Sequence, residues 1–293
     1  MTSRYADQVA IAVPTRDRPK LVARCILPAL AEAVAAGFEA VVVDQSEGTE
    51  TAELARSVAG LHYVRALPGV AHARNAAAHE TTAPVIVYVD DDVIVSDPVA
   101  WLERYAQAFA RAPDAGAVCG RGVTAKGAVM PGRVGTFRWP TNPFGLGSGF
   151  NLGVRRTALE QVAGFDEDFG PGGRYPAAED TDLLYRLLRS GWAIVCSDEV
   201  TVVHDTWRSL WSEVVVNYLY GVGAGAQTAK HLRRGDRVAG RIALGEAGLH
   251  LVTLARALVL LRPTVALVQL PFVAGLAAGL LRASAPRPPR AGT

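Results

Sequence analysis

Residues 85–92 read Val-Ile-Val-Tyr-Val-Asp-Asp-Asp, five β-branched or aromatic residues followed at once by three carboxylates. A buried strand of a parallel sheet has this composition, and open α/β sheets bind their ligands at the carboxyl ends of such strands. Three adjacent carboxylates repel one another, which favours a site for a hard divalent cation such as Mg²⁺ or Mn²⁺. The alternative is a solvated turn in which Asp90, Asp91 and Asp92 cap a helix.

Strand and helix signals alternate around this stretch. In chain order they are a strand at 9–13, a helix at 20–36, a strand at 40–43, a helix at 51–59, a strand at 62–65, a helix at 71–79, the strand at 85–89 and a helix at 98–111. Strands that alternate with helices form βαβ units. The sequence therefore predicts an α/β fold with a mostly parallel, mixed sheet flanked by helices.

Polar side chains follow three of the predicted strands. Thr15 and Arg18 come after the first strand, Asp44 after the second, and the three aspartates after the fourth. Because these strand ends share one edge of a parallel sheet, we expect a crevice the size of a nucleotide there. No glycine-rich phosphate loop follows these strands, so we expect a divalent ion, helped by Arg18 and Arg74, to neutralise phosphate.

The composition sets broad limits. With 293 residues, half of them apolar, the chain can bury a sizeable core. Its three cysteines are widely spaced, which favours neither a disulfide framework nor a zinc cluster and fits a reducing cytosol. No basic and then apolar signal region precedes the first strand, so no secretory signal is predicted. We expect no nucleic-acid partner.

The end of the chain differs in kind from the rest. Residues 230–293 contain 10 basic and 2 acidic residues, whereas residues 1–229 contain 20 and 26. The run 263–281 has 19 residues and no ionisable side chain, which is close to the length that crosses a bilayer core. The run 242–261 is a weaker, interfacial one. The alternative is that both runs are buried helices that pack on the globular domain or on a partner subunit.

These patterns divide the chain into three parts. We predict a globular domain over 1–229, with halves of about 1–112 and 113–229, a basic and apolar helical segment over 230–282 that associates with a membrane, and a disordered tail over 283–293.

A series of motifs in a fixed order resembles one enzyme family. The first four are Val-Pro-Thr-Arg-Asp-Arg, Val-Val-Val-Asp-Gln-Ser, Gly-Val-Ala-His-Ala-Arg-Asn and Tyr-Val-Asp-Asp-Asp. Later come Gly-Phe-Asn-Leu-Gly-Val-Arg-Arg, Val-Ala-Gly-Phe-Asp-Glu, Ala-Glu-Asp-Thr-Asp-Leu-Leu-Tyr-Arg and Ser-Gly-Trp. Over about residues 8–208, this order resembles an inverting family 2 glycosyltransferase of the glycosyltransferase-A fold.

The resemblance implies a nucleotide-diphospho-sugar donor bound by the first half. The residues that would bind it are Pro14, Thr15, Arg18, Asp44, Arg74, Asn75, Asp90 and Asp91. Asp92 would coordinate Mn²⁺ or Mg²⁺ between the two phosphates, and His204 would be a second ligand. Taken alone, a single histidine after a strand is more often an ordinary polar residue.

The resemblance also implies a catalytic base. Inverting transfer is a direct displacement, so the acceptor hydroxyl must lose a proton as it attacks. Glu179 and Asp180 begin a helical pattern, and the resemblance assigns the base to Asp180, with Glu179 beside it. From the residues alone, Glu179, Asp180 and Asp182 are better explained as acidic residues in the first turn of a helix.

Three residues are predicted on the acceptor side. Gly149 and Asn151 fall in the motif that the family uses there. Trp139 lies in a loop rich in Gly, Pro and aromatic residues and is predicted to stack on a sugar ring, the alternative being that it only anchors the loop.

The resemblance thus implies a metal-dependent inverting hexosyltransferase on the cytoplasmic side of the cell membrane, acting on a cell-envelope glycan or glycolipid. UDP is the expected carrier, with GDP or dTDP as alternatives, since Arg16-Asp17 replaces the Tyr-Asn pair of many members. Two other classes stay open. One is a non-catalytic subunit that binds sugar nucleotide or glycan in a membrane complex, and the other is a nucleotidyltransferase, although residues 14–19 lack the glycine that such an enzyme needs.

Overall fold

The computed structural model describes residues 2–204 and 209–284. The strands are β1 (Val9–Thr15), β2 (Glu39–Asp44), β3 (His62–Arg65), β4 (Val85–Val89), β5 (Val93–Ile94), β6 (Ala115–Val123), β7 (Gly135–Phe137), β8 (Asn151–Arg155) and β9 (Ala193–His204). The helices are α1 (Pro19–Leu21), which continues through a π-helical turn at Val22–Ile26 into α2 (Leu27–Ala35), then α3 (Glu50–Arg56), α4 (Val70–His79), α5 (Pro98–Arg111), α6 (Arg156–Gln161), α7 (Glu179–Arg189), α8 (Leu210–Arg233), α9 (Arg237–Val259) and α10 (Pro263–Ser284).

One sheet runs through the first part of the chain, in the order β3-β2-β1-β4-β8-β6-β9-β5, with β7 paired to β9. The pairs β1–β2, β1–β4, β2–β3 and β6–β9 are parallel, while β8 runs antiparallel to both β4 and β6. The predicted mixed sheet with a parallel first half is therefore confirmed. Because β4 lies between β1 and β8, the three aspartates leave the sheet near its middle.

The alternation of side chains in β4 divides the core between the two faces of the sheet. Val87 belongs to the cluster that packs under α2 and α5, which includes Trp101, whereas Ile86 and Tyr88 pack with α4 and α7. Successive residues of a strand point to opposite faces, so a continuous apolar run is what a strand covered on both sides requires.

The described residues form two compact units. The first contains residues 2–167 and 179–204, and the second contains 168–178 and 209–284. Helix α8 therefore belongs with α9 and α10, which differs from the predicted boundary after residue 229. The predicted disordered tail overlaps α10 at residues 283 and 284, and its remaining part lies outside the described residues.

In the second unit, glycines let α8 and α10 approach closely. A Cβ on Gly221 or Gly225 would lie 2.1 Å from a backbone oxygen of α10, and one on Gly275 or Gly279 would lie 2.1 Å from a backbone oxygen of α8. Each pair is spaced by four residues, the spacing by which small residues bring two helices together. Helices α9 and α10 are long and apolar enough to cross a bilayer, by length and composition alone.

Candidate donor and acceptor site

The ends of β1 and β4 bring the first predicted donor residues together. The hydroxyl of Thr15 donates to Oδ2 of Asp91 over 2.7 Å. Arg18 Nη1 lies 3.2 Å from Asp91 and 3.4 Å from Asp92. Burial raises the pKa of Asp91 to about 6, against the effects of the Thr15 hydrogen bond and the Arg18 charge. Pro14 precedes Thr15 as a buried residue of β1.

Asp92 and His204 face each other across the sheet edge. Val93 pairs with His204 in the β5–β9 register, so the backbone sets their approach. His204 Nε2 is 3.4 Å from Asp92 Oδ1, longer than an ordinary hydrogen bond. The contact with His204 lowers the pKa of Asp92, although burial opposes this.

This pair fits a divalent ion. Asp92 Oδ1 is buried and accepts no hydrogen bond within the described residues. A carboxylate oxygen beside an imidazole nitrogen is a donor set that suits Mn²⁺. Across residues 2–204 and 209–284 there is no group of three or more His, Cys, Asp or Glu side chains that could hold a metal. Oxygens of the donor's diphosphate would therefore have to complete the coordination shell.

Arg74 connects the aspartate cluster to α7. It is 2% exposed on α4, and its Nη2 lies 3.3 Å from Asp90 while its Nη1 lies 3.0 Å from Glu179. Burial, followed by the charge of Asp180, raises the pKa of Glu179 to about 7, against the opposing effect of the Arg74 guanidinium. Burial likewise raises the pKa of Asp90.

Gly149 lies between Arg74 and the predicted base. Its N–H donates to Asp180 Oδ2 over 3.0 Å, while Asp180 Oδ1 accepts from Thr181 N over 2.7 Å. A Cβ at position 149 would be 2.1 Å from Arg74 Nη2, so only glycine lets the loop backbone lie on the guanidinium. Asp180 is thus held in a fixed orientation at the start of α7.

Two other predicted donor residues form hydrogen bonds within the protein that connect the elements around the site. Asp44 is fully buried, and its oxygens accept bonds from Ser46 N at 2.9 Å and from the Tyr63 hydroxyl at 2.9 Å. Asn75 exchanges two bonds with the backbone of Phe165, at 2.9 and 2.8 Å. In this structure both side chains are engaged within the protein rather than aimed into the crevice.

Two predicted acceptor residues make their contacts within the protein. Asn151 is fully buried, and its side chain accepts from Tyr105 and Trp101 and donates to two backbone carbonyls. It therefore braces β8 against its neighbours and has no exposed surface for a ligand. Trp139 packs edge-on against Tyr185 in α7, at a centroid distance of 5.4 Å, which is the anchoring alternative.

Sequence reasoning gave no role to Glu167 or Gln45. Glu167 accepts from Asn75 Nδ2 over 3.0 Å and lies 3.2 Å from His72, so it ties α4 to the segment after α6. Gln45 donates to the carbonyl of Gly69 over 2.8 Å. Both residues lie inside motifs on which the family resemblance rests, and this position could have indicated that they belong to the site.

Comparison with known sequences supports the resemblance. The model of glycosyl transferase family 2 matches residues 10–129. The chain is 26% identical over 243 residues to the O-antigen biosynthesis protein RfbC of Myxococcus xanthus, covering 72% of this chain and 18% of that protein. It is 32% identical over 157 residues to an N-acetylglucosaminyl-diphospho-decaprenol L-rhamnosyltransferase of Mycobacterium tuberculosis, covering 42% and 49%. The chain thus spans less than half the length of either relative.

Comparison with solved structures supports the fold. The mannosyltransferase PcManGT of Pyrobaculum calidifontis, solved with GDP-Man and Mn²⁺, superposes with a TM-score of 0.63 at 17% identity, covering 95% of this chain and 88% of that one. TarS 1–349 of S. aureus superposes with a TM-score of 0.55 at 16% identity, covering 92% and 90%. The fold is that of the glycosyltransferase-A enzymes.

The sequence and fold comparisons thus make the chain similar to glycosyltransferases. Residues 10–129 match the family 2 model, which agrees with the family resemblance found in the motifs.

Proposed function

We propose that the protein is an inverting, metal-dependent transferase that moves a sugar from a nucleotide-diphospho-sugar to a hydroxyl of a cell-envelope glycan or glycolipid. The observation that carries this proposal is the position of Arg74. Its guanidinium pairs with Asp90 on the donor edge and with Glu179, the neighbour of the predicted base. One buried cation therefore fixes the donor edge relative to the residue that would take the proton.

The donor edge supplies contacts for a sugar nucleotide. Arg18, whose side chain is 47% exposed, presents its positive charge beside Asp91 and Asp92, where a diphosphate would lie. Asp92 and His204 would hold the divalent ion. When bound, this ion would act as a Lewis acid that stabilises the leaving diphosphate.

Asp180 is placed to take the proton of the acceptor hydroxyl. Hydrogen bonds from Gly149 N and from the backbone N–H and hydroxyl of Thr181 fix its carboxylate. Both Thr181 bonds go to Oδ1, so Oδ2, which accepts the Gly149 bond, is the oxygen with a lone pair for the acceptor hydroxyl. A positioned carboxylate of this kind removes the proton as the hydroxyl attacks the anomeric carbon. Glu179 supports the arrangement by holding Arg74.

The acceptor and the carrier are inferred from chemistry and from relatives. One relative is named for O-antigen biosynthesis, and another for transfer to a sugar-diphospho-decaprenol. These names support an acceptor that is part of the cell envelope. That it is presented on the cytoplasmic side of the membrane is part of the proposal. UDP is the proposed carrier. It is to be compared with GDP and dTDP, because Arg16 and Asp17 replace the Tyr-Asn pair of many members. The two side chains are exposed and pair with each other at 3.4 Å.

A thermal-shift series tests the donor site. The purified protein is heated with UDP, GDP and dTDP and their diphospho-sugars, each with Mn²⁺ and with a chelator. We expect stabilisation by one nucleotide series that depends on Mn²⁺ and is lost in Asp92→Ala. The matched control is Asp198→Ala, since Asp198 is exposed on β9. A folded protein that no nucleotide stabilises would overturn the proposal.

A further inference from the structure

The outer face of α9 carries exposed apolar side chains along much of its length, with arginines among them. Leu244, Val252 and Val259 are 75%, 56% and 81% exposed, and they lie along one side of the helix. Only 17% of the most apolar window of α9 is buried. A soluble helix presents its polar residues to water instead. Some apolar medium or partner must therefore cover this face.

Three polar residues other than the arginines are buried or pair between α9 and α10. Glu246, the only acidic residue of the two helices, is 8% exposed. His250 Nδ1 lies 2.8 Å from Gln269 Oε1, and its ring stacks on Phe272 at 3.9 Å. Apolar side chains face outward and polar side chains pair between the helices, which is the arrangement expected of helices in contact with lipid.

The charges on this surface are all positive. The exposed ionisable residues of α9, α10 and their connecting turn are Arg237, Arg241, Arg256, Arg262 and Arg282. Arginine stems cover apolar surface while the guanidinium reaches the polar boundary. Such a face complements the negative charge of anionic lipid headgroups.

Helix α10 is exposed on one side only. Leu267, Leu270 and Leu281 are 51%, 56% and 74% exposed and share one stripe. The opposite side, which includes Gly275 and Gly279, packs on α8. Lipid can therefore reach one face of this helix and cannot surround it.

Segment 168–178 favours a peripheral position for the three-helix unit. It packs on α8, where a Cβ on Gly223 would lie 2.6 Å from the carbonyl oxygen of Ala177, and Lys230 Nζ lies 5.1 Å from the centre of the Phe169 ring. The segment is irregular and contains three glycines and Arg174. Irregular backbone does not occur in the lipid-exposed hydrocarbon region. Its contact with the middle of α8 argues against immersion of the three-helix unit.

We propose that α9 and α10 lie in the plane of the membrane interface and dock their outer faces on an anionic bilayer, without spanning it. The occupant of the apolar surface is lipid, and the arginines contact the headgroups. This inference rests on the proposed function only in placing the enzyme beside a membrane-borne acceptor. Lipid binding is measured without donor or acceptor. A negative result for lipid binding can therefore be distinguished from a failure of the proposed transferase activity.

Vesicle co-sedimentation of the full chain tests the surface. We expect binding to vesicles of phosphatidylcholine with phosphatidylglycerol that is stronger than binding to phosphatidylcholine alone. Replacing Arg241 and Arg256 by Gln should lower the partition coefficient roughly fivefold for each charge removed. Arg104→Gln, on the exposed side of α5, is the matched control and should bind like the parent. Circular dichroism checks that each variant is folded.

Depth measurements separate an in-plane helix from a spanning one. Leu244, Val252 and Val259 are replaced one at a time by cysteine, and each cysteine is labelled with a fluorophore. Quenchers attached at different positions along the lipid chain then measure the depth of the fluorophore in the bilayer. The native cysteines are buried and should label slowly. A helix in the interface gives three equal depths, whereas a spanning helix separates its first and last labels by about 22 Å along its axis.

Two results would overturn the proposal. One is a depth that changes steadily along α9, which would show a spanning hairpin. The other is equal, weak binding to both vesicle types together with concentration-dependent self-association that Val252→Ser abolishes, which would show that a second copy covers the face.

Discussion

Gly149 and Arg74 cannot both keep their places if residue 149 carries a Cβ, because that atom would lie 2.1 Å from Arg74 Nη2. Gly149→Ala should therefore displace the guanidinium from Glu179 and Asp90 and disturb the hydrogen bond to Asp180. We expect a loss of about 1–3 kcal/mol in the free energy of unfolding. Turnover should fall on the order of 10²-fold, as for a misplaced catalytic group.

Gly132→Ala is the matched control for this variant, since a Cβ there meets nothing closer than 3.7 Å. Urea unfolding and steady-state rates are measured for both. Equal behaviour of the two variants would contradict the assigned role of Gly149.

Asp180→Asn tests the base. The amide is close in size to the carboxylate but cannot take a proton at neutral pH, so the rate should fall by roughly 10² to 10⁴. Donor affinity, measured by calorimetry, should stay near that of the parent because Asp180 is assigned to the acceptor hydroxyl. Asp198→Asn is the control, and an unchanged rate in Asp180→Asn would exclude this residue as the base.

Glu179 makes stability depend on pH. Its pKa is about 7 in the folded chain, against an ordinary value of 4.5, so between these values the folded state binds more protons than the unfolded state. The free energy of unfolding therefore falls as pH rises through this window. Glu179→Gln lacks this titration, so its stability relative to the parent should increase as pH rises from about 5 to 8.

Urea unfolding in the presence of a chelator, at several pH values, measures the difference. Glu160→Gln, an exposed site, should show no such trend. A relative stability of Glu179→Gln that decreases with pH would show that Arg74 dominates over burial.

Asn151 should matter for folding rather than for acceptor affinity. Asn151→Ala leaves the Tyr105 hydroxyl, the Trp101 indole N–H and two backbone carbonyls without their partner, so we expect a loss of about 3 kcal/mol in the free energy of unfolding. Asn217→Ala breaks a single half-buried bond to Glu213 and should cost less than about 1.5 kcal/mol. A specific rise in acceptor KM without loss of stability would instead support the predicted acceptor contact.

The glycines between α8 and α10 offer a paired comparison. Gly279→Ala forces apart two backbones, since its Cβ would lie 2.1 Å from the Val222 oxygen, and should destabilise the protein by about 1–3 kcal/mol. Gly248→Ala, within α9, meets nothing within 4 Å and should be neutral or stabilising by up to about 1 kcal/mol. The thermal unfolding temperatures of both variants test this prediction. Equal destabilisation of the two variants would argue against close packing of α8 and α10.

Strand periodicity predicted the part of the site that depends on neighbouring strands. Thr15 and Asp91 meet because β1 and β4 pair in parallel, which the alternation of strands and helices implies. The bond between Arg74 and Glu179 could not be predicted in this way. It joins residues 105 positions apart on two helices, and no local pattern records which helix ends meet.

The contacts of Asn151 and Trp139 could not be predicted from the sequence, for a different reason. A motif shows that a residue is needed but not whether it touches the ligand or supports a neighbour. Asn151 stands beside Gly149 in one motif, yet its partners come from α5, β6 and β9, which only the tertiary structure brings to it.

Segment 168–178 belongs to the helical unit but lies in sequence between two site residues of the other unit. The chain enters this segment directly after Glu167 and leaves it directly before Glu179, while Phe169, Tyr175 and Ala178 pack in a cluster with residues of α8 and α10. A chain shortened after residue 204 would leave the apolar side chains of this segment without their partners in α8 and α10. Loss of activity in such a variant would therefore have two explanations, a segment that no longer folds and a missing membrane contact, and it would not by itself demonstrate the need for a membrane.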